Sequence, residues 1–154
     1  MREILFRGKR LDNDEWVEGF LAQTQGHTYI IQPGWYDDDL FISLYNITDK
    51  VDPETVGQYT GLTDKNGKKI FEGDVIKTHY INTKKNDFVE QVVFHNGRFC
   101  SMFKFSDNAR MWANLPDGVQ HLPQDKAPYM DWCEVIGNIH DNPELLEGGA
   151  EDGK

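Results

Sequence analysis

A mainly β fold is predicted: short-stranded antiparallel hairpins, with an SH3-like small barrel in the C-terminal part and a short C-terminal helix. Three observations carry this expectation. Asn-Gly pairs stand at 66–67 and 96–97, between arms of strand length. Asn and Gly tolerate the positive φ angles of a tight hairpin turn. Runs rich in Val, Ile, Phe, Tyr and Trp alternate with polar residues, which suits a pleated, half-buried surface. Clusters of Pro, Gly and Asp recur at close intervals, the spacing of small barrels and sandwiches.

Residues 3–9 form an apolar run that ends at Asp12-Asn13-Asp14, a turn-forming cluster. Residues 15–21 follow as the second arm of a hairpin, with Trp16, Glu18 and Phe20 on one face and Val17 and Gly19 on the other. Residues 28–31 make a third strand, ended by Pro33-Gly34. Residues 35–39 read as a loop and 40–47 as another strand. Asp52-Pro53-Glu54 has the chemistry of a single helical turn, with Asp52 as cap and Pro53 at the first position. Residues 55–60 make a strand before the reversal built on Asn66-Gly67.

Residues 72–77, Glu-Gly-Asp-Val-Ile-Lys, look like a strand entering an SH3-like barrel, a likeness of fold that carries no function. Residues 82–87 are a polar loop. Residues 88–95 and 98–105 flank Asn96-Gly97, and Phe99, Ser101, Phe103 and Phe105 share one face of the second arm. Residues 106–129 read as irregular, with a short helix near 107–115. Residues 131–139 are the last strand and 142–146 the closing helix. Two β regions result, 1–50 (N-terminal hairpins) and 51–146 (barrel-like), followed by an acidic tail, 147–154, expected to be disordered. A single integrated domain over 1–146 stays open.

The 154 residues are enough to bury a core without metal or disulfide support. No apolar run nears the roughly 20 residues that span a bilayer, so no membrane association is expected. The first eight residues turn polar too early for an export signal. Cys100 and Cys133 are the only cysteines and each adjoins an aromatic, which favours a reducing, cytoplasmic setting and burial as small hydrophobes. There are 26 acidic and 16 basic residues, a net charge of −10. Phosphate contacts need clustered Lys and Arg, so nucleic-acid binding is not expected. The short basic stretches, residues 7–10 and 65–69, read as solvated turns.

No motif carries catalysis. No Cys-x-x-Cys or His-x-x-x-His occurs, and a zinc site from His95, Cys100, Cys133 and His140 has no diagnostic spacing, so no metal and no cofactor is expected. Ser43, Ser101 and Ser106 lack a nucleophile-elbow setting. Asp37-Asp38-Asp39 lacks the calcium-loop pattern. Trp16, Trp35, Tyr36, Tyr59, Trp112 and Trp132 suggest a stacking platform for single strands, but the charge opposes it.

Three segments stand out: Arg7-Gly8-Lys9-Arg10-Leu11 with Glu15-Trp16-Val17-Glu18-Gly19, then residues 52–62 (DPETVGQYTGL) with 64–74 (DKNGKKIFEGD), and finally 134–146 (EVIGNIHDNPELL). Together they resemble the YopX family. The resemblance implies a phage or prophage origin in a bacterial host cell and a mainly β fold, and it implies no activity, cofactor or catalytic set. The central motif is rich in turn formers and small apolar residues, which serve β-turn construction. Gln58, Tyr59 and Asp64 are its candidates for a partner-binding surface. The expected function is a non-enzymatic phage accessory protein that binds a protein partner or itself. One alternative is an acidic inhibitor occupying the nucleic-acid site of a DNA-handling protein. Another is an enzyme of unrecognised type.

Overall fold

Strand pairing organises the chain, and in the computed structural model it is described for residues 3–32, 48–79, 87–106, 109–114, 129–130 and 133–147. The chain divides into two units, Met1–Tyr59 and Thr60–Lys154. Residues 51–59 thus belong with the N-terminal unit. No helix among the described residues is long and apolar enough to cross a membrane.

In the N-terminal unit, β1 (Phe6–Lys9) pairs antiparallel with β2 (Trp16–Thr24) across the expected turn. Asp14 takes φ +58° there, and its N–H donates to the Arg10 carbonyl at 3.1 Å. β3 (His27–Ile31) pairs with β2, and β4 (Thr48–Val51) pairs with β3. Val51 then bridges Arg10, so the row bends back toward β1 through one bridge rather than a full ladder. Asp52 caps a 3₁₀ turn, Pro53–Thr55, its Oδ1 accepting the Glu54 N–H at 3.0 Å. β5 (Gly57–Asp64) begins in this unit, with Gln58 opposite Phe6. Val17, Ile30 and Val51 form the core, with Phe6, Leu21 and Val56 against it. The expected alternation in β2 holds: Val17 and Gly19 are buried while Glu18 and Phe20 are exposed.

In the C-terminal unit, the end of β5 pairs with β6 (Lys69–Phe71) and, in parallel, with β11 (Tyr129–Met130). A second sheet runs β10-β9-β8-β7-β12, made of β7 (Asp74–His79), β8 (Asp87–His95), β9 (Arg98–Ser106), β10 (Ala109–Asn114) and β12 (Cys133–Asn138). Leu62, Ile70, Ile76, Val92, Phe99, Cys133 and Val135 form the core.

Three expectations change here. The five-stranded sheet ends in different strands at its two edges, β10 and β12, so it is open and the SH3-like barrel closure is not formed among the described residues. The expected short helix near 107–115 is instead strand β10: its ladder with β9 overrides the modest helix preference of Ala-Arg-Met. The closing helix at 142–146 is one 3₁₀ turn, Pro143–Leu146. A single turn fixes several dihedrals for few hydrogen bonds, so it does not propagate without a longer run of good helix formers. The loop at 35–39, the strand at 40–47 and the tail at 148–154 lie outside the described residues.

Candidate functional site

The outer face of the N-terminal sheet is built by register. Lys9 stands opposite Trp16 and Arg7 opposite Glu18, which puts both cations on the tryptophan's side of the hairpin. The Arg7 guanidinium lies 4.7 Å from the Trp16 ring centre and the Lys9 ammonium 5.6 Å. Both are within the range of cation–π attraction. Phe20 opposes Ile31 and Ala22 opposes Tyr29, so the face continues with apolar and aromatic side chains. Phe20 is 54% exposed, and Trp16, Tyr29 and Ile31 are half-buried. His27 meets the Tyr29 ring edge-on at 6.2 Å. Solvent-side strand positions ordinarily carry polar residues. Here Trp16, Phe20 and Lys9 occupy them, while Arg7, on the same face, is itself buried.

The other face of this sheet is closed by glycines. At Gly8 a Cβ would lie 3.0 Å from a Val51 methyl, and at Gly19 it would collide with the Ile31 carbonyl. The glycines let the strands close on the small core, so the aromatic residues of β2 need not fill it. Nearby, a cleft of about 350 Å³ is lined by Arg10, Leu11, Asp12, Thr48, Asp49 and Lys50. Its guanidinium is engaged: Arg10 donates through Nε and Nη2 to Asp12 at 3.0 and 2.8 Å, and Asp49 lies 3.3 Å away.

The three surface candidates sit as follows. Gln58 is half-buried. Tyr59 is 7% exposed, and burial pushes its phenol up, with Glu3 and Glu18 adding to the effect. Asp64 is 1% exposed, and its carboxylate is a hub for backbone amides. Oδ1 accepts from Asn66 and Lys68 at 2.8 and 2.9 Å, and Oδ2 accepts from Val135 at 3.0 Å. Tyr59 and Asp64 therefore offer little side chain to a partner, and Asp64 joins the β5–β6 turn to β12. Asp74 does similar work: its Oδ2 accepts the Phe71 N–H at 2.7 Å, and Gly73 between them takes φ +85°.

Register also separates the cysteines. Cys133 opposes Thr78, Thr78 opposes Phe88, and Val92 opposes Ser101, so Cys133 shares a sheet face with Ser101. Cys100, next to Ser101, points to the opposite face. Both thiols are buried, as expected for small hydrophobes. Burial pushes Cys133 up to about 12, with the Asp64 and Glu90 carboxylates adding, so it is a poor nucleophile and a poor metal ligand. His95 and His140 are exposed. Among the described residues no group of three or more His, Cys, Asp or Glu is placed to hold a metal ion.

Two features are not apparent from residue type alone. Arg7 and Lys9 look like turn charges, but their alternation opposite Trp16 puts them on one face. Glu90 falls between Phe88 and Val92 on the inward parity of β8, and its side chain is fully buried.

The YopX protein family matches residues 5–147. No curated protein matches the chain. Among solved structures, the crystal structure of protein EF1440 from Enterococcus faecalis is 25% identical, with a TM-score of 0.44 over 95% of this chain and 99% of that one. With segments of all three resembling regions inside a match that covers nearly its whole length, the chain belongs to the YopX family.

Proposed function

We propose that this YopX-family chain is a phage-type accessory protein of the bacterial cytoplasm that acts without catalysis, by binding a protein through the outer face of its N-terminal sheet. The observation that carries the reading is Phe20, 54% exposed on the same face as Trp16 and its two stacked cations. An aromatic strip on a solvent-facing sheet marks an interaction site when its members are contiguous rather than scattered. Apolar anchors supply the energy of association, and the partly exposed Lys9 orients the partner.

The test is a photo-crosslinking amino acid placed at Phe20, with the same group at exposed Lys68, in the C-terminal unit, as control, in cells expressing the full chain. A discrete adduct from position 20, absent from position 68, is the expected result. An adduct of twice the chain mass would identify self-assembly as the binding event. An adduct to a basic DNA-handling protein would favour the second reading, an acidic inhibitor, which the net charge of −10 supports through steering toward basic partners. Equal, diffuse adducts from both positions would refute the proposed surface.

A further inference from the structure

Glu90 occupies the centre of β8, itself the third strand in the order β10-β9-β8-β7-β12. Its side chain is 0% exposed. Among the described residues neither carboxyl oxygen closes a hydrogen bond. On the same face stand Ile76 and Thr78 from β7, Val92 from β8, Ser101 from β9 and Cys133 from β12. The Thr78 hydroxyl donates instead to the Phe88 carbonyl at 3.4 Å. Asp64, from the end of β5, and Lys65 act with Glu90 on Cys133, and Lys65 is paired with Glu134. The groups acting on Glu90 itself are the hydroxyls of Ser101 and Thr78, and neither is a cation.

An ionised carboxylate taken from water into such a place loses several kcal/mol of hydration, with no countercharge among the groups shown to act on it. A neutral carboxyl loses far less. We propose that Glu90 is a proton-linked latch of the C-terminal unit: the β7–β8–β9 sheet closes around the neutral carboxyl and loosens when the proton leaves. Burial pushes the carboxyl above its ordinary range, and the Ser101 and Thr78 hydroxyls pull it back only in part. The sign follows from linkage. An acid whose folded value lies above its unfolded value stabilises the fold fully below the unfolded value. That stability is lost as pH rises through the folded one. The unit is therefore tightest in acid, and it is loosened from its central strand as pH rises through the raised carboxyl range.

The experiment uses the full chain and two readouts. Hydrogen exchange of the β8 and β9 amides, corrected for intrinsic rates, is followed from mildly acid to mildly alkaline solution in the parent and in Glu90→Gln. Protection in the parent should fall by at least about tenfold with rising pH, while the Gln variant stays level. Independently, the Glu90 side-chain carboxyl resonance of the parent should titrate above the ordinary glutamate range. Equal pH dependence in the two proteins, or an ordinary carboxyl titration, would overturn the latch. Should the Gln variant fail to fold, the resonance in the parent decides the matter alone.

Discussion

The two units reach a stable sheet by opposite means. The N-terminal unit removes side chains: Gly8 and Gly19 let strands approach until Val17, Ile30 and Val51 fill the space between them. The C-terminal unit inserts carboxyl groups: Asp64, Asp74 and Glu90 are all buried, and the two aspartates accept backbone N–H groups. Steric closure places no demand on the outward face of β2, which is left free to carry Trp16 and Phe20. Carboxylate closure ties loops to strands and concentrates turn residues in one motif, residues 64–74. The segment most recognisable in the sequence is thus the one that holds the second unit together, while the proposed binding surface lies in the first.

The sharpest way to break the comparison is Asp64→Ala. Three amides, of Asn66, Lys68 and Val135, lose a charged acceptor, and the Val135 bond is buried. Hydrogen bonds to charged groups exceed neutral ones, and an orphaned buried donor adds its own penalty. The expected loss is about 3–5 kcal/mol in urea unfolding. Asp64→Asn keeps one oxygen and should lose less. A wild-type urea midpoint for the Ala variant would mean the carboxylate hub is not what joins the turn to β12.

The matching change in the first unit is Gly19→Ala. One methyl group would strike the Ile31 carbonyl and crowd Ile30. Backbone atoms cannot step aside as a flexible side chain does, so the cost should reach about 3 kcal/mol, the upper part of the range for overpacking. Thermal melts of this variant, monitored by exchange of β2 and β3 amides, should show the loss there first. Unchanged protection in β2 would mean the strands have room and the glycine rule fails.

Local chemistry was legible in the sequence, and long-range pairing was not. The first hairpin, the Asp52 cap and the arms around Asn96-Gly97 all stand where turn residues and alternation put them. β10 against β9 and the small 3₁₀ turn at Pro143–Leu146 escaped, because both depend on pairing or length rather than on residue type. The outward parity of Trp16 and Phe20 was readable from β2 alone. A dense motif suggests a partner at Tyr59 and Asp64; both side chains are buried, and Asp64 serves the chain's own amides. The two Asn-Gly pairs show the limit most clearly. Asn96 and Gly97 both take positive φ, +50° and +79°. At the other pair only Gly67 does, at +78°, because Asp64 captures the Asn66 and Lys68 amides and sets a longer loop.

That contrast yields a smaller effect. Gly97→Val forces a β-branched residue into left-handed backbone and should cost about 1–3 kcal/mol. Gly67→Val should cost a similar amount, since nothing lies near a Cβ at either position and only φ matters. Lys68→Gln, which alters neither, should stay within about 0.5 kcal/mol. Denaturant melts of the three variants decide whether backbone angle or loop type governs these turns.

The smallest effect sharpens the carboxylate side of the comparison. Lys65 forms an ion pair with Glu134, so the same turn is joined to the same strand twice, once by a buried carboxylate and once by surface charge. The Lys65 and Glu134 side chains are about one-third exposed, and water and salt weaken their attraction. Holding two long side chains in one geometry also costs entropy. A double-mutant cycle of Lys65→Ala and Glu134→Ala should therefore give a coupling of about 0.2–1 kcal/mol, shrinking in high salt. Asp64 makes its three bonds to backbone amides that have little freedom left to lose, so its variant should keep most of its deficit in high salt. If the surface coupling instead rivals the Asp64 loss and resists salt, the turn is held by paired charge rather than by amide capture. The division between a sterically closed unit and a carboxylate-latched one would then have to be redrawn.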